Sequence, residues 1–115
     1  MDTKRKLEHY RGIWNNCPKD TDIEERAIEK IALLVDELPD DDTSKASYLS
    51  LVVDFYKKND ETTARHFEKL NAIVEHIDDQ DDRLYTYRVI MRSKHADLET
   101  KIRIGGVMLD MLEDA

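Results

Sequence analysis

The feature that most constrains this chain is an apolar residue every three or four positions, a pattern that returns in segment after segment. It is clearest between residues 22 and 38, where Ile28, Ile31, Val35 and Leu38 recur at this spacing. At 3.6 residues per turn these positions form one face of an amphipathic helix. A capping box in Thr21–Glu24 precedes the segment and a proline follows it, so the sequence predicts a helix over 22–38.

Four other segments have the same period and are separated by short polar turns. The predicted helices are residues 4–14, 22–38, 44–58, 61–77 and 82–112. Thr43 or Ser44 is the expected cap of the third helix and Asp60 of the fourth. We therefore expect an all-α fold: one domain over residues 1–115, a four- to five-helix bundle with short loops and a long C-terminal helix.

Composition removes several functional classes. With 40% hydrophobic residues in 115, the chain has enough apolar content for a modest core. Its three glycines cannot form a phosphate-binding glycine-rich loop, and neither nucleotide-binding glycine motif occurs. The single Cys17 cannot close an intrachain disulfide, which favours a reducing compartment. Because the first residues are charged and no long apolar run occurs, we expect a cytoplasmic protein without a membrane segment.

No motif predicts a catalytic or metal site. A calcium loop starting at Asp78 would need glycine at its sixth position and glutamate at its twelfth, where the chain has Arg83 and Val89. No histidine follows a glutamate by three residues, as a di-iron bundle requires, and no serine lies in a nucleophile-elbow motif. We therefore expect a protein that is not an enzyme, with no catalytic residues, no metal and no cofactor.

The predicted C-terminal helix has apolar residues on two sides. We expect the first stripe to pack on the bundle; it comprises Leu84, Tyr87, Met91, Leu98, Ile102, Leu109 and Leu112. The second stripe needs another partner and comprises Val89, Ala96, Ile104, Val107 and Met111. Gly105 lies on the first stripe, where its lack of a side chain would admit another backbone, but Gly105-Gly106 would equally break the helix. The sequence leaves both interpretations open.

Charge is unevenly distributed along the chain, whose formal net charge is −8. Residues 19–42 carry ten acidic and three basic groups, whereas residues 83–103 carry six basic and two acidic groups. The basic segment either pairs with the acidic helix or offers a phosphate-binding edge of Arg88, Arg92 and Arg103. The net charge disfavours nucleic acid, and the short basic N-terminus does not predict membrane binding.

These patterns predict a small acidic protein–protein interaction module, of regulatory, adaptor or inhibitor type, that acts through its C-terminal helix. The predicted contact residues are the second stripe, Val89, Ala96, Ile104, Val107 and Met111, flanked by Arg88, Arg92 and Arg103. The partner is another protein or a second copy of the chain, which would make a homodimer. The alternatives are a nucleic-acid-associated protein that uses the arginine edge, or an acidic mimic of nucleic acid that blocks a basic cleft on a partner.

Overall fold

The computed structural model describes residues 1–114, which form six α-helices joined by short connections and contain no strand. Two short 3₁₀ segments, Val35–Glu37 and Val74–His76, continue the second and the fourth helix. The helices are α1 (Thr3–Asn16), α2 (Asp22–Leu34), α3 (Lys45–Phe55), α4 (Asp60–Ile73), α5 (Gln80–Arg92) and α6 (Leu98–Glu113). The predicted all-α class is confirmed.

Most of these helices begin at a side chain that accepts a hydrogen bond from the amide three residues later. The capping residues are Asp2, Thr21, Asn59, Asp79 and Asp97, with distances of 2.7–3.3 Å. Such a cap satisfies one of the free amides of the first turn. Thr21 was predicted correctly, but α4 is capped by Asn59 rather than by Asp60.

The helix α3 lies at the centre of the bundle. It packs against α2, α4 and α5, while α1 packs on α2 and α6 packs on α5. Eight of its eleven residues are buried, among them Leu49, Val52 and Ser50. A helix that is apolar on most sides is typical of a core position. The buried residues of all six helices form one cluster around it.

The prediction of one long helix over 82–112 is wrong, because the chain forms two helices with a break between them. Ser93 ends α5 with an extended backbone (φ −71°, ψ 140°), and Asp97 then caps α6 through the amide of Thr100. Ser93 also stabilises the turn itself, since its carbonyl accepts from the Ala96 amide at 3.1 Å. Gly105-Gly106, where the sequence left a helix break open, lies inside α6 without interrupting it.

Candidate interaction surface on the C-terminal helix

The helix α6 lies at the edge of the bundle, where α5 is its main neighbour. Its start is fixed by Asp97, whose carboxylate accepts from the Thr100 amide at 2.7 Å. This bond, together with the Thr100 hydroxyl, holds the pKa of Asp97 below its usual range, so the cap stays negative beside the positive end of the helix dipole. Near the other end, the Gln80 side chain donates to the Met111 carbonyl at 3.4 Å. The two helices are therefore antiparallel neighbours.

The predicted contact face is the side of α6 that the monomer buries. Ile104 is fully buried, and Val107 and Met111 are partly buried against the core. The other two members of the second stripe, Val89 and Ala96, are also in the core. The assignment of these five residues to an outer contact surface is thus corrected: in the folded chain they pack inward, against their own bundle.

The assignment of the first stripe to the buried side is also wrong for its members on α6. The sequence predicts that Leu98, Ile102, Leu109 and Leu112 pack on the bundle, yet in the structure they are 73%, 67%, 58% and 56% exposed. The non-helical residues 93–97 shift the phase of α6 relative to α5, so positions that would share a face on one continuous helix no longer do. Tyr87 on α5 is buried as predicted, whereas the α6 part of the first stripe faces outward.

These four side chains form what we call the exposed stripe: Leu98, Ile102, Leu109 and Leu112. With Gly105 between them, their spacing is four, three, four and three residues, which is the heptad spacing of a helix–helix seam. The sequence contains this spacing, but the spacing alone does not tell whether the face is buried by the monomer or exposed. The stripe runs about 21 Å along the helix at 1.5 Å per residue.

The glycines of α6 are not required by the packing of the monomer. A Cβ atom built on Gly106 would have no described neighbour within 4 Å. On Gly105 it would meet the flexible end of Met91 at 3.7 Å, an ordinary van der Waals distance. A glycine inside a helix costs about 1 kcal/mol relative to alanine, and contacts within the chain give no reason for this cost.

The predicted arginine edge is divided between two helices. Arg88 and Arg92 lie on α5 and Arg103 on α6, all of them exposed. Arg92 forms an ion pair with Asp54 of α3: its Nε donates to Asp54 Oδ1 at 2.9 Å, and its Nη2 donates to Asp54 Oδ2. This hydrogen bond, together with the charge of Asp54, raises the pKa of Arg92. The Arg88 and Arg92 guanidinium groups also lie over Tyr85, at 5.6 and 5.9 Å from the ring centre.

The fold brings two acidic segments to one cleft of about 600 Å³. Its lining includes Asp40, Asp41, Asp42, Asp78, Asp79 and Asp82. Hydrogen bonds from Lys45 and Lys69 hold the pKa of Asp40 below its usual range, and Ser44 does the same for Asp42. Part of the negative charge is thus balanced by lysines of the same chain. Within residues 1–114, no group of three His, Cys, Asp or Glu side chains is arranged to hold a metal ion.

Comparisons with protein families, with curated proteins and with solved structures find no match to this chain. In the described part of the chain, no helix is both long and apolar enough to cross a lipid bilayer.

Proposed function

We propose that this protein is a small acidic protein–protein interaction module, of regulatory, adaptor or inhibitor type, that binds through the exposed stripe of α6. The observation that carries the proposal is a row of four large aliphatic side chains, each more than half exposed, on a helix at the edge of the bundle. Burying one such side chain completely is worth about 1.5 to 3 kcal/mol. A partner that covers the row gains part of this free energy at each position.

The remaining exposed hydrophobic residues are distributed differently. Met1 precedes α1, and the others are Ile13 on α1, Ile23 and Leu33 on α2, Phe55 on α3 and Tyr85 on α5, so none of these helices carries more than two. Single exposed hydrophobic residues are normal on protein surfaces, whereas a contiguous row is typical of an interaction site. The proposal therefore keeps the C-terminal helix as the contact element and changes the face.

The division of the arginines between two helices, and the pairing of Arg92 with Asp54, support the nucleic-acid alternative less well. The two hypotheses differ in their salt dependence. Binding to phosphates weakens steeply as the salt concentration rises, whereas an apolar contact holds or strengthens.

A pair of variants tests the proposal. Ile102→Asp places a charge in the exposed stripe, and Leu33→Asp places the same charge at a position of similar exposure on α2, 61% against 67%. Both variants should keep the far-UV circular dichroism of the wild type, since both sites are on the surface. We expect Ile102→Asp to lose the associations of the wild-type chain, with itself or with co-purifying proteins, and Leu33→Asp to keep them. Equal loss or equal retention in the two variants would contradict the proposal.

A further inference from the structure

We infer that the partner of the exposed stripe is a second copy of this chain, which pairs with the first antiparallel about a two-fold axis that passes between Gly105 and Gly106. This inference rests on the proposed function and adds the identity of the partner and the direction of the contact. Three observations carry it: the order of the apolar residues, the position of the glycines and the distribution of charge along α6.

The apolar residues are ordered symmetrically about the glycines. Ile102 and Leu109 lie three and a half residues to either side of the midpoint between Gly105 and Gly106. Leu98 and Leu112 lie seven residues to either side of Gly105. A two-fold axis at this point brings Ile102 of one copy opposite Leu109 of the other, and Leu98 to within one residue of the position opposite Leu112. The same surface then serves both copies, as an isologous dimer interface requires.

The glycines lie where the two helices would cross. Since neither glycine is required within the monomer, as the free space at Gly106 indicates, a second backbone on the outer side gives them a structural role. Without side chains at the crossing point, two helices can approach more closely than helices with larger residues there.

The charges on α6 favour the antiparallel direction. The last ten residues of the described chain, 105–114, carry Asp110, Glu113 and Asp114 and no basic group. The start of the helix carries Lys101 and Arg103 against Asp97 and Glu99, so its formal charges balance. A parallel pair would place the two acidic ends side by side, whereas an antiparallel pair places each acidic end beside the start of its partner helix, where the charges balance. The helix dipoles are also opposed in this arrangement.

The contact is small, since α6 has 16 residues and is about 24 Å long at 1.5 Å per residue. Interfaces of this size belong to weak or transient complexes. We therefore expect a dissociation constant in the micromolar range, with a mass that rises with concentration toward twice the 13.5 kDa of the chain.

Disulfide formation between single introduced cysteines tests whether the two α6 helices pair antiparallel or parallel. In a Cys17→Ser background, one sample carries Leu98→Cys, a second carries Leu112→Cys with a small tag, and a third is their mixture. Both sites are exposed, so folding is preserved. We expect a mixed disulfide dimer in the mixture and none in either single sample. In the antiparallel pair the two copies of residue 98 lie about 21 Å apart, beyond the limit of about 7 Å between Cα atoms for a disulfide.

The outcomes separate this inference from the proposed function. Disulfide dimers in each single sample would show a parallel pair and overturn the antiparallel arrangement. A wild-type mass of one chain at every concentration, with no disulfide in any sample, would overturn pairing with a second copy. The proposed function would still stand in that case if Ile102→Asp, and not Leu33→Asp, lost a co-purifying protein. If the wild type were a dimer and Ile102→Asp were equally dimeric, both claims would fail.

Discussion

His66 lies on α4, where its side chain is fully buried and faces Asp36 in the 3₁₀ segment after α2. Its Nδ1 lies 2.7 Å from the Thr62 carbonyl, which fixes this nitrogen as the donor. Its Nε2 has no hydrogen-bond partner among the described residues and lies 3.6 Å from Asp36. Burial lowers the pKa of His66 below 6.5, although the Thr62 carbonyl and Asp36 oppose this effect and nearby Arg65 adds to it. Above pH 6.5 the buried imidazole is therefore mainly in its neutral form.

This depressed pKa makes stability depend on pH in a defined direction. As pH falls through about 6.5, the unfolded chain takes up the proton at this position before the folded chain does, so the free energy of unfolding decreases. We expect denaturant titrations to show this decrease between pH 7.5 and 5 in the wild type and a flatter profile in His66→Leu. His9→Leu is the control, since His9 is exposed. Equal slopes for His66→Leu and the wild type would refute the assignment.

At the scale of single residues, the sequence predicts some side-chain roles and not others. The Thr21 cap could be predicted because Thr and Glu at this spacing are specific to a helix start. In the structure the partner of Glu24 is the Asp20 amide, at 3.2 Å, rather than that of Thr21. Asp20 has a positive φ of 61°, a conformation that the residue type permits but does not predict. Such details depend on the backbone of a turn, which a residue pattern does not determine.

At the scale of the helices, the apolar period identified where α1 to α4 lie, but not the break between α5 and α6. The connection 93–97 contains no glycine or proline, and its turn is held by Ser93 and Asp97. At Gly105-Gly106 the sequence left a break and a close approach of another backbone equally open, and no break occurs there. The packing of α6 on α5 overrides the low helix propensity of two glycines, a tertiary effect that the local sequence does not contain.

The glycine at position 106 gives a prediction of two opposite effects. Gly106→Ala adds a methyl group to an exposed helical site without a neighbour within 4 Å. The free energy of unfolding should therefore rise by about 0.5 to 1 kcal/mol. In a thermal melt of the dilute protein this corresponds to about 2 to 4 °C. The same methyl group should weaken association, because it lies at the proposed crossing point.

The matched control for this variant is Gly12→Ala on α1, where an added Cβ also has no described neighbour within 4 Å. It should raise the melting temperature in the same way and leave association unchanged. If both variants associated as tightly as the wild type, the two helices would not approach closely at the glycines.

At the scale of the whole molecule, the core lies around α3, and α6 lies at the edge of the bundle with one apolar face uncovered. The core is built around α3, and every helix contributes to it. The edge helix α6 has one face on α5 and another that carries the exposed stripe. The sequence predicted that the C-terminal part of the chain has two apolar sides. It could not tell which side the monomer buries, because the answer depends on the phase shift introduced by the break at residues 93–97.

The most direct test of the account is a concentration series of backbone amide NMR spectra of the wild-type protein. If the exposed stripe of α6 is the contact surface, raising the concentration from tens to hundreds of micromolar should shift the amides of residues 98–112, while those around Leu33 and Phe55 stay in place. The site of the shifts reports the location of the contact independently of any substitution. Shifts centred on another helix, or spectra unchanged over the whole range, would contradict the assignment of α6 as the surface through which this protein pairs.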